Sequence, residues 1–164
     1  MESHEISIRP ARREDTALIL EFIRGLADYE HMSDQVVADP EVLADWLFEK
    51  RTASVAFALC DGKEAGFALY FHNFSTFLGR AGIYLEDLYV MPEYRGRGLG
   101  KALMRYLAGE CVRLGCGRLE WACLDWNQPS IDFYLSLKAV PQSEWTTYRL
   151  TGDALRALAE SAEK

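Results

Sequence analysis

Ile6, Ile8 and Pro10 alternate with Ser7 and Arg9, the two-residue period of a short strand. From Asp15 to Tyr29 the period lengthens. Leu18, Phe22 and Leu26 recur every fourth residue with Ile19 and Ile23 beside them, which is one apolar stripe on a helix. Asp39-Pro40 starts a second helix, with Asp as N-cap and Pro in the first turn, and Val42, Leu43, Trp46 and Leu47 mark its expected buried face. Strands over 55–60 and 64–74 flank Asp61-Gly62, a hairpin turn signal. Residues 74–82 read as a loop, and 83–90 as a strand expected to pair antiparallel with 64–74. A helix follows over 98–114, with Leu99, Leu103, Tyr106 and Leu107 on neighbouring faces and Gly115 as its C-cap. Residues 118–124 read as a strand. A short helix opens at 125–130 and runs to Leu137. Residues 145–150 read as a further strand, and a last helix over 152–160 carries Leu155 and Leu158.

This order predicts an α/β chain with a mixed, strongly twisted sheet and helices on both faces. The length, 164 residues, suits a single domain over 1–164. A composition 49% hydrophobic and 26% charged is that of a soluble globular protein. The net charge of −7 argues against bulk nucleic-acid binding and suits a cationic substrate. Four cysteines form no C-x-x-C pair and meet no histidine cluster, so no metal site is expected. No signal peptide is apparent and no apolar run is long enough to span a membrane, which points to a cytoplasmic, reducing setting.

The chemistry concentrates between Glu86 and Lys101. A strand meets Met91-Pro92 and then Arg95-Gly96-Arg97-Gly98-Leu99-Gly100-Lys101 opens a helix. Strand, basic glycine loop and helix N-terminus make a phosphate cradle of converging N–H groups and a positive dipole end. It is not the nucleoside-triphosphate loop: Lys101 is followed by Ala102 rather than Ser or Thr, and Arg95 stands where that loop needs Gly. The spacing Gly96, Gly98, Gly100 also fails the dinucleotide fingerprint. What fits is R-G-x-G-[LIV]-G-K after a strand, which resembles motif A of the GCN5-related N-acetyltransferases (GNAT). That resemblance implies the acyl-CoA N-acyltransferase fold and a loop that wraps the pyrophosphate of acetyl-CoA. The cofactor-binding positions expected there are Leu88, Tyr89, Val90, Arg95, Gly96, Arg97, Gly98, Leu99, Gly100 and Lys101, with a backbone N–H in 88–90 stabilising the acetyl oxygen if a bulge or splay exposes it.

Trp126-Asn127-Gln128-Pro129-Ser130-Ile131-Asp132-Phe133-Tyr134 resembles the family's motif B. A helix from Pro129 sets Ser130 and Tyr134 on one face. The resemblance places Asn127 and Ser130 against the cofactor and Tyr134 near its thiol; Asn127 acting only as a cap and Tyr134 as core stay open. The chemistry needs a base, since an alkylamine is protonated near neutrality. Glu86 is the candidate base, acting directly or through water, with a substrate-binding or plain surface role as the alternatives. By alternation Glu86 and Leu88 share one face of the strand, Asp87 and Tyr89 the other. Tyr134 is the candidate acid for the thiolate.

Ile8-Arg9-Pro10-Ala11, Leu26 to Met32, Tyr84 to Met91, Tyr94 to Gly100 and Trp126 to Tyr134 together resemble the diamine (spermidine/spermine) and thialysine N-acetyltransferase branch. The branch implies that Tyr29, Glu30, Glu86 and Glu144 bind the amine, by charge pairing and cation–π contact. It also implies a homodimer, for which exposed Trp145 or Phe74 would serve. Lys138 departs from the pattern, standing where the branch has Gly after the helix. The reading is acetyl transfer to a small cationic primary amine in a ternary complex. An acetyltransferase of amino acids or protein amines, and a non-catalytic acyl-CoA-binding regulatory module, are the alternatives.

Overall fold

The computed structural model describes residues 3–161. The chain divides at Ala122/Cys123 into two compact units.

In the first unit, β1 (Ile6–Pro10), β2 (Ser54–Cys60), β3 (Lys63–Ser75), β4 (Arg80–Val90) and β5 (Leu119–Trp121) form one sheet in sequence order. The first four strands pair antiparallel and β5 runs parallel to β4. The α-helices beside them are α1 (Thr16–Tyr29), α2 (Pro40–Ala44, continued as a π turn over Asp45–Glu49) and α3 (Leu99–Leu114).

Residues directly opposite across a ladder share a face, so the register sorts the core into two layers. One face carries Val55, Phe57, Phe67, Leu69 and Tyr89, packed on Ile19 and Phe22 of α1 and Leu47. Phe22 is the hub: its ring centroid lies 5.9 Å from Phe57, 5.6 Å from Phe67 and 6.0 Å from Tyr89. At about 1.5–3 kcal/mol per buried side chain, this aromatic group is a major share of the unit's stability. The other face is lined by small residues, Ala56, Ala58, Gly66 and Ala68, with Ile83 and Leu85. The buried stripe of α3, Leu99, Leu103, Met104, Leu107 and Cys111, recurs at helical spacing.

Several sequence expectations are corrected. Trp46 and Val42 do not face the core but are 48% and 55% exposed. The π turn widens the helix after Ala44 and breaks the 3.6-residue phase, and Lys50 caps the Trp46 ring, Nζ 3.9 Å from its centroid. The expected 74–82 loop shrinks to four residues, because β3 extends to Ser75 and β4 begins at Arg80. Ser75 closes that turn, accepting from Leu78 N at its hydroxyl (3.2 Å) and from Gly79 N at its carbonyl (2.8 Å). The 118–124 strand is only Leu119–Trp121.

In the second unit, α4 (Gln128–Ser136) and α5 (Gly152–Glu160) are present. The strand expected over 145–150 does not form; a ladder needs a partner strand, which periodicity alone does not reveal. Lys138 takes the left-handed conformation, φ 66°, after α4. No helix among the described residues is long and apolar enough to cross a membrane.

Candidate active site

The ladder between β3 and β4 slips by one residue. Leu69 faces Asp87 while Tyr70 faces Leu85, so Glu86 is an extra residue, a β-bulge. The bulge takes Glu86 out of the alternation that grouped it with Leu88, while Asp87 and Tyr89 share a face as expected. Ile83 and Leu85 lie on the small-residue face before it, Leu88 lies on that face after it, and Asp87 and Tyr89 turn to the α1 face. Glu86 stays exposed at the bend while Asp87 is half-buried.

Asp87 is a candidate residue that the motif reading did not single out. Burial first, then the nearby charges of Glu86 and Glu30, raise its carboxyl from 3.8 to about 6. Burial also raises Glu30. Glu30 follows α1 directly, where His31 at φ 59° turns the chain. The charges of Glu30 and Glu86 thus both bear on Asp87, where α1 ends beside β4. A signal was available in the sequence: an Asp sharing the strand phase of Tyr89, which is a core phase.

Beyond Leu85, β4 leaves β5, since their pairing covers only Ile83–Leu85. Met91 N donates to Ala65 O (2.8 Å). Alternation then turns the backbone of Tyr89 toward β3 and the N–H groups of Leu88 and Val90 to the opposite side, past the end of the β5 ladder. The expected bulge is therefore present, displaced to Glu86, and a splay follows it.

A single turn, Pro92–Tyr94, leads into the glycine loop. Gly96 and Gly98 have φ of 77° and 90°, values that a side chain disfavours. Gly98 is the N-cap of α3 and supplies no side-chain cap; Ala102 N closes the first helical bond to its carbonyl (3.0 Å). The N–H groups of Leu99, Gly100 and Lys101 therefore have no intrahelical acceptor and sit at the positive end of a 16-residue helix. This donor set fits a pyrophosphate. The two arginines are held by the protein. Arg95 donates from Nε to Val90 O (3.0 Å) and lies over Tyr29 (4.9 Å from Cζ to the ring centroid) and Tyr89 (5.8 Å). Arg97 lies over Tyr94 (5.1 Å), with Nη1 4.0 Å from Cys60 Sγ. Arg95 thus ties Tyr29, a candidate amine-binding residue, to the loop.

The second unit holds the other candidates. Asn127, buried, is the N-cap of α4 and accepts from Ser130 N at 3.4 Å. Tyr134 is half-buried, its ring centroid 5.4 Å from that of Phe133. Glu144 is exposed.

Away from these groups, His4, Cys60 and Asp61 place ligand atoms within 4.8 Å of one another. Hydrogen bonds already engage the Asp61 carboxylate: His4 Nδ1 at 2.9 Å and Glu5 N at 2.9 Å, with the Cys60 thiol at 3.8 Å. With the Arg97 cation beside the sulfur, the cluster reads as the clasp that ties the start of β1 to the β2–β3 turn.

Comparison with known proteins gives the same picture. The acetyltransferase (GNAT) family matches residues 20–138. Thialysine N-epsilon-acetyltransferase of Bos taurus is 40% identical over 94% of this chain and 97% of its own length. L-ornithine N5-acetyltransferase of Arabidopsis thaliana is 46% identical over 57% of this chain and 41% of its own. An integron cassette protein from the mobile metagenome of V. cholerae has the same fold, with a TM-score of 0.80 and 28% identity over 98% of this chain and 100% of that one. An uncapped helix N-terminus behind a left-handed glycine loop, set beside a bulged strand that leaves its neighbour, is thus found where the family match runs, and the chain belongs to the acetyltransferase (GNAT) family.

Proposed function

We propose that the chain transfers acetyl from acetyl-CoA to a primary amine of a small cationic substrate: a polyamine, a diamine or a thialysine-like amino acid. The observation that carries this is the carboxylate group Glu30, Glu86 and Asp87 at the bulge, one strand-end away from an anion cradle. A cation is drawn to the first and a pyrophosphate to the second. The likeness to thialysine and ornithine acetyltransferases supports an amine on an amino-acid side chain.

In this reading Leu99, Gly100 and Lys101 hold the pyrophosphate with their N–H groups, and Gly96 and Gly98 let it approach. Arg95 and Arg97 add positive charge. Asn127 and Ser130 contact the pantetheine arm. Tyr29, Glu30 and Glu144 bind the amine. Glu86 takes its proton, directly or through water, and Asp87, at about 6, is a second acceptor near neutrality. The N–H of Leu88 or Val90 stabilises the acyl oxygen as it gains charge, with Tyr89 beside it. Tyr134 gives a proton to the departing thiolate. The proposal further takes residues 1–164 as one catalytic domain, which the family match across the 122/123 boundary supports, working as a cytoplasmic homodimer without metal.

Thiol release from acetyl-CoA tests it, with purified protein and spermidine, putrescine, thialysine, ornithine, lysine and a basic peptide. Release with one small amine class well above the others is expected. Silence across the panel with acetyl-CoA binding intact would turn the reading to a non-catalytic acyl-CoA-binding module. Absence of binding would remove the loop assignment.

A further inference from the structure

The clasp at the start of β1 brings a thiol, an imidazole and a carboxylate to one point. Asp61 Oδ2 is at its centre, with His4 Nδ1 at 2.9 Å and Cys60 Sγ at 3.8 Å. The other oxygen is held by the backbone: Oδ1 accepts from Glu5 N at 2.9 Å, and Asp61 N donates to Glu5 O at 2.8 Å. Asp61 and Gly62 both have positive φ, 50° and 81°, as a two-residue hairpin turn requires. The turn itself therefore aims the carboxylate back at His4. The set has an inner and an outer side. Cys60 is 2% exposed, whereas the side chains of His4 and Asp61 are 23% and 56% exposed. An ion can thus reach the thiol from water, past the carboxylate.

We propose that His4 Nδ1, Cys60 Sγ and Asp61 Oδ2 bind a zinc ion, with water as the fourth ligand. Thiolate and imidazole suit a borderline-soft ion; Mg²⁺ and Ca²⁺ take oxygen sets. Tetrahedral zinc with bonds of about 2.0–2.3 Å sets its ligand atoms roughly 3.4–3.6 Å apart. The spacings of 2.9 and 3.8 Å lie on either side of that range, and the three atoms all lie within 4.8 Å of one another. Side-chain rotations that move an atom by about 1 Å close the set. The exchange balances. The thiol proton leaves to solvent as the Zn–S bond forms, and His4 binds as the tautomer protonated at Nε2. The Glu5 N bond to Oδ1 stays and orients the ligating carboxylate. Arg97 opposes the ion. Its Nη1 lies 4.0 Å from Cys60 Sγ, so a bound dication must push the guanidinium away. The proposed acetyl transfer uses no metal, and the zinc site does not rest on that reading.

The test uses the full chain, reduced and stripped with EDTA, and titrates it with Co²⁺ as the coloured substitute for zinc. Thiolate-to-cobalt charge transfer in the near ultraviolet and the visible bands of a tetrahedral ion are expected, saturating at one equivalent and bleached by added Zn²⁺. Zinc at a hundredfold excess over its Kd is expected to raise the melting temperature by about 5–10 °C. Cys60→Ser should remove the charge-transfer band. His4→Ala should weaken binding by about tenfold or more with circular dichroism unchanged, and it carries the test should Cys60→Ser fail to fold. Arg97→Ala should strengthen binding by about tenfold, since it removes the opposing charge. A charge-transfer band that survives Cys60→Ser comes from Cys111, Cys116 or Cys123 and would overturn the site. So would the spectrum of aqueous cobalt alone, or binding indifferent to His4→Ala. Unchanged affinity in Arg97→Ala would overturn the part given to that arginine.

Discussion

Asp87→Asn is the most informative single change in the carboxylate group. In the folded chain the Asp87 carboxyl titrates at about 6, against an ordinary 3.8. Holding its charge at high pH therefore costs the fold about 2.2 × 1.36, or roughly 3 kcal/mol. The sign follows from linkage. A raised folded pKa means that the folded state holds the proton more tightly than the unfolded one. The penalty is complete above pH 6 and fades as pH falls toward the unfolded value. Asn mimics the protonated form. The variant should be more stable than wild type by up to about 3 kcal/mol at pH 8, and by less than about 1 kcal/mol near pH 4. In a chain of this size that is a rise in melting temperature of about 6–12 °C at pH 8. Thermal melts of both proteins at pH 4, 6 and 8 measure it. A gain independent of pH, or a loss at pH 8, would refute a half-buried, charge-crowded Asp87.

Three further outcomes are expected. Tyr134→Phe should lower turnover by about 10²-fold or more while acetyl-CoA binding by calorimetry stays unchanged; unaltered turnover would remove Tyr134 as the acid. Glu86→Gln should slow the reaction most at low pH, where the amine is most protonated, and should lower the titration of Asp87 by removing its neighbour's charge; a pH–rate profile identical to wild type would rule out the base. Lys138→Gly should stabilise the chain by about 1 kcal/mol in urea unfolding, since φ 66° strains a residue with a Cβ.

The parts of this protein governed by local periodicity and turn chemistry were legible in the chain. The stripe Leu18–Phe22–Leu26 became α1, Asp39 became an N-cap that accepts from Glu41 and Val42 N, and Asp61-Gly62 became the β2–β3 turn. The glycine loop was legible because positive φ at Gly96 and Gly98 needs those residues. Features that depend on a second segment were not. The bulge at Glu86 is a relation between β3 and β4, visible in neither strand alone, and the burial of Asp87 follows from it. The outward turn of Trp46 comes from a π turn that helical periodicity does not encode. The placement of Arg95 on Tyr29 joins residues 66 positions apart, and neither motif announces the other.

The bulge also makes Glu86 a detachable residue. Leu69 and Tyr70 are consecutive in β3, and their partners Asp87 and Leu85 would be consecutive in β4 if Glu86 were deleted. The ladder would close into an unbroken register with Leu85, Asp87, Leu88 and Tyr89 all on the faces they already occupy. Deletions inside central strands normally invert every side chain beyond the cut. Here the one-residue deletion is the conservative change, and the intact chain is the one that carries the insertion. The strand can be seen as a complete structural ladder into which a single carboxylate has been inserted, so that framework and chemistry in β4 are separable by one codon.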